Sequence, residues 1–267
     1  MRVLKAYLLY IEKEKNSMKS FFIKNREGQK ISVILEKSDN CGLVFIMHGL
    51  GGFKEEVHIA TIAKAFRDKN FTVVRFDTRH SLGESDGDYS DANPTNGCQD
   101  LEDVINWART ENWYREPFVL AGYSMGGGSI LWYGANYSDK VSGLALLSTV
   151  IGGHHTLARY DKKDLQEWDA TGIQVRPGSD HHLNWAQFKK DILQYDMVPE
   201  AHKFTMPFLM IVGDQDTNTP LEDHMKLYQK VPEPTEMYVI KGASHVISEA
   251  SHLKEIENIL KKWIDKI

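Results

Sequence analysis

What most constrains this chain is a repeated alternation of short apolar runs with longer amphipathic stretches. "KSFFIKN" and "QKISVILEK", joined by Arg26-Glu27-Gly28-Gln29, read as an antiparallel hairpin. After them the order becomes strand then helix. "GLVFIMHG" precedes Glu56 to Lys69, "FTVVRFD" precedes Asp100 to Thr110, and "PFVLAGY" precedes Met125 to Asn136. "VSGLALLST" follows, then "PFLMIVGD" before Leu221 to Gln229 and "EMYVIKG" before Glu249 to Lys262. Strands joined through helices are parallel, because a parallel pair needs a crossover connection. The expectation is an α/β fold, a mostly parallel central sheet with helices on both faces.

One stretch breaks the alternation. Residues 154–204 are rich in His, Asp and Lys, carry Trp168, Trp185 and Phe188, and contain no long apolar strand. A structureless loop of that length is unusual, so an inserted subdomain of short helices and a hairpin is expected, placed as a lid where open α/β sheets bind ligands. The expected organisation is an N-terminal extension over 1–17, a core over 18–153, the insertion over 154–204, and the core resumed over 205–267.

Composition removes several function classes. With 32 Lys and Arg against 37 Asp and Glu, the net charge of -5 offers no basic groove for nucleic acid. Two cysteines, Cys41 and Cys98, are too few for a disulfide framework and suit free thiols in a reducing cytoplasm. The apolar patch Ala6 to Ile11 is shorter than a membrane span and lacks a cleavage site, so it is expected to pack on the body or on a second copy in a homodimer.

"LAGYSMGGGSI", residues 120–130, follows the apolar run directly. Its glycines do not fit G-x-G-x-x-G, and no Lys precedes a Ser or Thr as a phosphate loop requires. What fits is G-x-S-x-G at a strand-to-helix turn, with Gly122, Ser124 and Gly126. A serine hydroxyl needs a base, and the base needs a third group to fix its tautomer. Both appear in chain order after later strands: Asp214 or Asp216 in "GDQDTNTP", with Asp216 favoured because it lies farther past the strand tip, then His245 in "GASH". Oxyanion donors are expected from the backbone N–H of Met125 and of Leu50 in "MHGLGGFKEE". His48 is read as pinning that loop rather than as the base. Gly127 and Gly128 are assigned nothing beyond close helix packing.

These residues together resemble the α/β-hydrolase family, in particular the small-lidded bacterial serine esterases that include cinnamoyl and feruloyl esterases. The likeness rests on "HGLGGFKEE", "FDTRHSLGESDG", "GYSMGG", "GDQDTNTP" and "GASH". It implies Ser124 as nucleophile, Asp216 as acid, His245 as base and Leu50 and Met125 as oxyanion donors, with no cofactor or metal. One departure is a loop one residue longer, with His80-Ser81-Leu82 where the family has a glycine and one residue. His154 or His155 is a candidate to face the substrate, as are Trp185 and Phe188, the favoured alternative for both aromatic residues being the core of the insertion. The pairs His154-His155 and His181-His182 lack the spacing of helix-borne metal ligands.

The reaction expected is hydrolysis of small or medium acyl esters through an acyl-enzyme. Because the base must be neutral, activity should fall below about pH 6 to 7, near the ordinary histidine pKa. The same groups cleave thioesters, or amides if acids such as Asp161, Asp164, Glu167 or Asp169 held a free amino terminus. A silent binding protein on the fold is the third alternative.

Overall fold

A computed structural model describes residues 18–38, 42–176 and 178–267. Cys41 and the 1–17 extension lie outside the described residues. Among the described residues ten strands run in chain order: β1 (Met18–Lys24), β2 (Lys30–Glu36), β3 (Gly42–Met47), β4 (Phe71–Phe76), β5 (Phe118–Tyr123), β6 (Val141–Leu147), β7 (Ile173–Val175), β8 (His182–Asn184), β9 (Phe208–Gly213) and β10 (Thr235–Ile240). Eight of them form one sheet in the order β1-β2-β4-β3-β5-β6-β9-β10, and β7 and β8 pair separately. β1 and β2 are antiparallel, as their short connection dictates, and all pairs from β4 to β10 are parallel.

The helices are α1 (Val57–Arg67), α2 (Pro94–Ala108), α3 (Met125–Asn136), α4 (Gly153–Leu157), α5 (Lys162–Thr171), α6 (Trp185–Ile192), α7 (Leu221–Tyr228) and α8 (Ala250–Ile264). Side chains alternate across a strand, and β3 shows the consequence. Leu43, Phe45 and Met47 pack with Leu101, Ile130 and Leu227 of α2, α3 and α7, whereas Val44 and Ile46 pack with Ile59, Phe66, Leu260 and Trp263 of α1 and α8. Each such side chain contributes about 1.5–3 kcal/mol by leaving water, so a strand buried on both faces reads as continuous apolar sequence.

Helix α2 begins at Pro94, not at Asp100 as its pattern suggested. Asn93 caps it by accepting from the Asn96 N–H at 2.9 Å, and Pro94 has no N–H to lose in the first turn. The polar run Thr95, Asn96 and Gln99 hid that turn. Asp100, fully buried, accepts from the Arg79 N–H at 2.7 Å.

The parallel register aligns the strand tips. Met47 pairs with both Phe76 and Gly122, so the segments after β3, β4 and β5 meet at one end of the sheet. After β6 the chain leaves the sheet and builds α4, α5, the β7–β8 hairpin and α6 before returning to β9. Its two ends abut: the Gly153 N–H donates to the Tyr195 carbonyl and the Met197 N–H to the Ile151 carbonyl, both at 2.8 Å.

Candidate active site

Ser124 sits between β5 and α3 with φ 53° and ψ -118°, a left-handed backbone that costs a non-glycine residue roughly 1–3 kcal/mol and must be held by its surroundings. The Ser124 N–H donates to the Leu147 carbonyl, and the Ser124 carbonyl accepts from the Val150 N–H, each at 3.0 Å. The glycines make the turn sterically available. A Cβ on Gly122 would lie 2.7 Å from the Gly126 oxygen, and one on Gly126 would lie 2.3 Å from the His48 oxygen. Gly127 and Gly128, left open by the sequence, have the same kind of reason: a Cβ there would meet Thr149 Oγ1 at 2.2 Å and the Val150 oxygen at 3.0 Å.

Past β10, His245 places Nε2 3.0 Å from Ser124 Oγ, and its Nδ1 lies 2.9 Å from Asp216 Oδ2. This network fixes the tautomer, with Nδ1–H donating to the carboxylate and Nε2 free to accept from the serine hydroxyl. Asp216 is 4% exposed and also accepts from the Thr219 N–H and Oγ1–H at 2.8 Å and the Asn218 N–H at 2.9 Å. Burial opposes its ionisation, but these hydrogen bonds and the facing imidazole outweigh it and bring the carboxyl down to about 2. Asp214 is exposed and accepts from the Gly242 N–H at 2.7 Å, tying the turn after β9 to the one after β10.

The loop after β3 closes over Ser124, and Gly49 passes so near that a Cβ there would lie 3.0 Å from that of Ser124. His48 pins it from behind, with Nδ1 donating to the Gly49 carbonyl at 2.7 Å and Nε2 accepting from the Thr78 N–H at 3.0 Å. Burial lowers its pKa, which keeps the ring neutral for that task. The loop's far end is fixed by Lys54, fully buried, which reaches Asp77 at 2.8 Å and Glu84 at 2.7 Å. Burial works against that ammonium, yet the carboxylates of Asp77, Glu84 and the adjacent Glu55 hold its pKa above the usual lysine value. Asp77 also accepts from the Glu84 N–H at 2.8 Å, which sets the path of the lengthened 78–88 loop.

Ser124 and His245 open into a cavity of about 600 Å³ that Leu50 and Met125 also line. Among the described residues, no group accepts from the backbone N–H of Leu50 or Met125. The insertion forms the opposite wall with Arg159, Tyr160, Asp164, Trp168, Arg176 and Phe188. Two expected wall residues are elsewhere. His154 is exposed, because the short α4 helix turns Thr156 to the cavity instead. Trp185 is 0% exposed in the insertion's own core, where its Nε1–H donates to Asp169 Oδ1 at 2.7 Å and its ring meets Trp168 edge-on at 5.0 Å. His155 faces Asp223 at 3.4 Å. Among the four acids considered for holding an amino terminus, Asp164 alone reaches the cavity, whereas Asp161, Glu167 and Asp169 are exposed.

Sequence reading passed over Tyr123 and His58. The Tyr123 hydroxyl donates to the His245 carbonyl at 2.9 Å, and its ring lies 4.1 Å from that of His58. Only the position of Tyr123 beside Ser124 in the motif could have signalled it. Among the described residues no three His, Cys, Asp or Glu side chains cluster to hold a metal ion. No helix there is long and apolar enough to cross a membrane.

A family model described as serine aminopeptidase, S33, matches residues 38–187, more than half of the chain. The chain belongs to this family. As an S33 serine hydrolase it has the α/β-hydrolase fold, and solved structures agree. Est1E of Butyrivibrio proteoclasticus, with ferulic acid bound, superposes with a TM-score of 0.79 at 20% identity, covering 92% of this chain and 98% of that one. A curated relative is the uncharacterized 31.7 kDa protein of the traX-finO intergenic region of Escherichia coli, 24% identical over 262 residues, with 84% of this chain and 90% of that protein covered. An acyl transferase of Shewanella woodyi is 24% identical over 200 residues, covering 72% of this S33 chain and 64% of the transferase.

Proposed function

We propose that the protein hydrolyses carboxylic esters of small or medium acyl groups through an acyl-enzyme on Ser124. His245 takes the Ser124 proton as Oγ attacks the ester carbonyl, and the N–H groups of Leu50 and Met125 hold the oxyanion. Asp216 steadies the imidazolium, which then protonates the leaving alkoxide. Water attacks the acyl-enzyme by the same route and releases the acid. The observation that carries this reading is the unbroken series Ser124 Oγ, His245 and Asp216, at 3.0 and 2.9 Å, opening into the cavity. The depressed Asp216 pKa supports it, since an ionised carboxylate is what a developing imidazolium needs. The insertion is the lid of that cavity in this reading.

Fluorophosphonate labelling of the wild type and Ser124→Ala is the direct test. Labelling of the wild type alone is expected, and equal labelling of both would remove Ser124 from its role. A panel of p-nitrophenyl esters, methyl ferulate and aminoacyl-anilides then identifies the bond cleaved. Asp164 on the cavity wall favours one competing reading, an exopeptidase that holds a free amino terminus. Preferential anilide turnover would establish it and displace the esterase reading.

A further inference from the structure

Met125 lines three cavities. It borders the main one at Ser124, a second of about 20 Å³, and a third of about 30 Å³ behind the loop after β3. The third is lined by His48, Thr78, Arg79 and Asn93, groups that give a water its partners. The second is different in kind. Cys98, Ile151, Ile192 and Met197 wall it together with the backbone of Gly128, Gly152 and Gly153, and the hydroxyls of the two polar lining residues, Ser129 and Tyr195, are already engaged by the Met125 carbonyl and by Thr95 Oγ1. Burial pushes the Cys98 thiol up to about 12, so that wall is uncharged as well as mostly apolar. A void so lined stays dry and receives hydrocarbon in preference to water.

Among the described residues, only Met125 and Val150 border both the main cavity and this dry one. Val150 is β-branched and stiff, whereas Met125 is an unbranched thioether, partly buried, that can swing between rotamers. We propose that the dry cavity is the distal end of an acyl-chain subsite, entered past Val150 when the Met125 side chain moves aside, so that these two residues set the acyl length accepted. Its ligand is a straight saturated acyl chain esterified to a small alcohol. The inference rests on the ester-hydrolase reading above, and the Met125 backbone keeps its separate part in holding the oxyanion.

The test compares kcat/KM for p-nitrophenyl butyrate and decanoate in the wild type, in Val150→Ala, which widens the passage, and in Cys98→Val, which fills the cavity from its far wall. Because a methylene in an apolar pocket changes rates by tenfold or more, the decanoate-to-butyrate ratio is expected to rise about tenfold in the first variant and fall about tenfold in the second. Each is checked for fluorophosphonate labelling. Unchanged ratios in labelled variants, or shifts of the same sign in both, would overturn the subsite and leave the hydrolase reading standing. Absence of labelling in the wild type would overturn the hydrolase reading and the subsite with it.

Discussion

The two walls of the cavity are built by different rules. On the sheet side, Ser124, Asp216 and His245 sit on turns whose backbones are fixed by contacts that admit no side chain, and the supporting groups are buried and paired. On the insertion side, α5 has no buried residue, and the wall is held by a small aromatic cluster around Trp185 with charged residues outside it. The first wall cannot change by one methyl without backbone movement. The second can exchange side chains and keep its shape. Reaction chemistry on the rigid side, acyl length at the Met125 and Val150 passage beneath it, and selection among bulkier substrates on the tolerant side is the division this asymmetry supports.

The largest effect that could break the comparison belongs to the rigid wall. Asp216→Asn should lower kcat on p-nitrophenyl esters by about 10³–10⁴-fold with KM nearly unchanged, because the amide would hold the wrong histidine tautomer. A loss below tenfold would mean that the carboxylate is not the orienting group. Gly126→Ala comes next. In an open helix that change gains stability, but here the new Cβ would lie 2.3 Å from a carbonyl oxygen, so a destabilisation of about 3 kcal/mol is expected in urea unfolding.

Acid sensitivity should also originate on this side. Beneath the site His224 is fully buried, accepting from the Thr149 N–H at 2.9 Å through Nε2 and donating to the Pro220 carbonyl at 3.0 Å through Nδ1. Burial lowers its pKa to about 4. The unfolded chain therefore binds a proton that the folded chain refuses, and stability is lost as pH falls from about 6.5 to 4. Asp216, depressed to about 2, adds a loss only below its ordinary value near 3.8. Urea midpoints in His224→Gln should fall less steeply between pH 6.5 and 4 than in the wild type; parallel curves would remove His224 as the cause. The smallest effects sharpen the other wall. Trp168→Ala should change the ratio of methyl ferulate to acetate turnover several-fold and leave fluorophosphonate labelling intact, whereas His154→Ala should move both by less than twofold.

What could be read from the sequence follows the same asymmetry. Continuous apolar runs, the chain order of Ser, Asp and His, and glycines at fixed offsets are local signals, and they located the sheet and the rigid wall. That Asp216 rather than Asp214 faces His245 agrees with its distance past the strand tip. The insertion resisted because its outcome depends on tertiary choices. Whether Trp168 or Trp185 faces the cavity turns on a hydrogen bond to Asp169 and on how α5 crosses α6, neither of which leaves a periodic trace. The first turn of α2 was hidden for a related reason, since its polar side chains are spent on tertiary bonds, Thr95 Oγ1 to the Tyr195 hydroxyl and Asn96 Nδ2–H to the Asp91 carbonyl. Tyr123 and His58 meet, with rings tilted, across 65 positions of chain, beyond the reach of any spacing rule.

The insertion leaves and rejoins the body at one stitched point, where Gly153 bonds to Tyr195 and Met197 to Ile151. Two chain ends held that close form a socket. A segment of different length and sequence could be grafted between Ile151 and Met197 without lengthening the path from β6 to β9. For a lineage or a designer, substrate range is then a matter of exchanging one cassette while the hydrolytic apparatus is inherited whole.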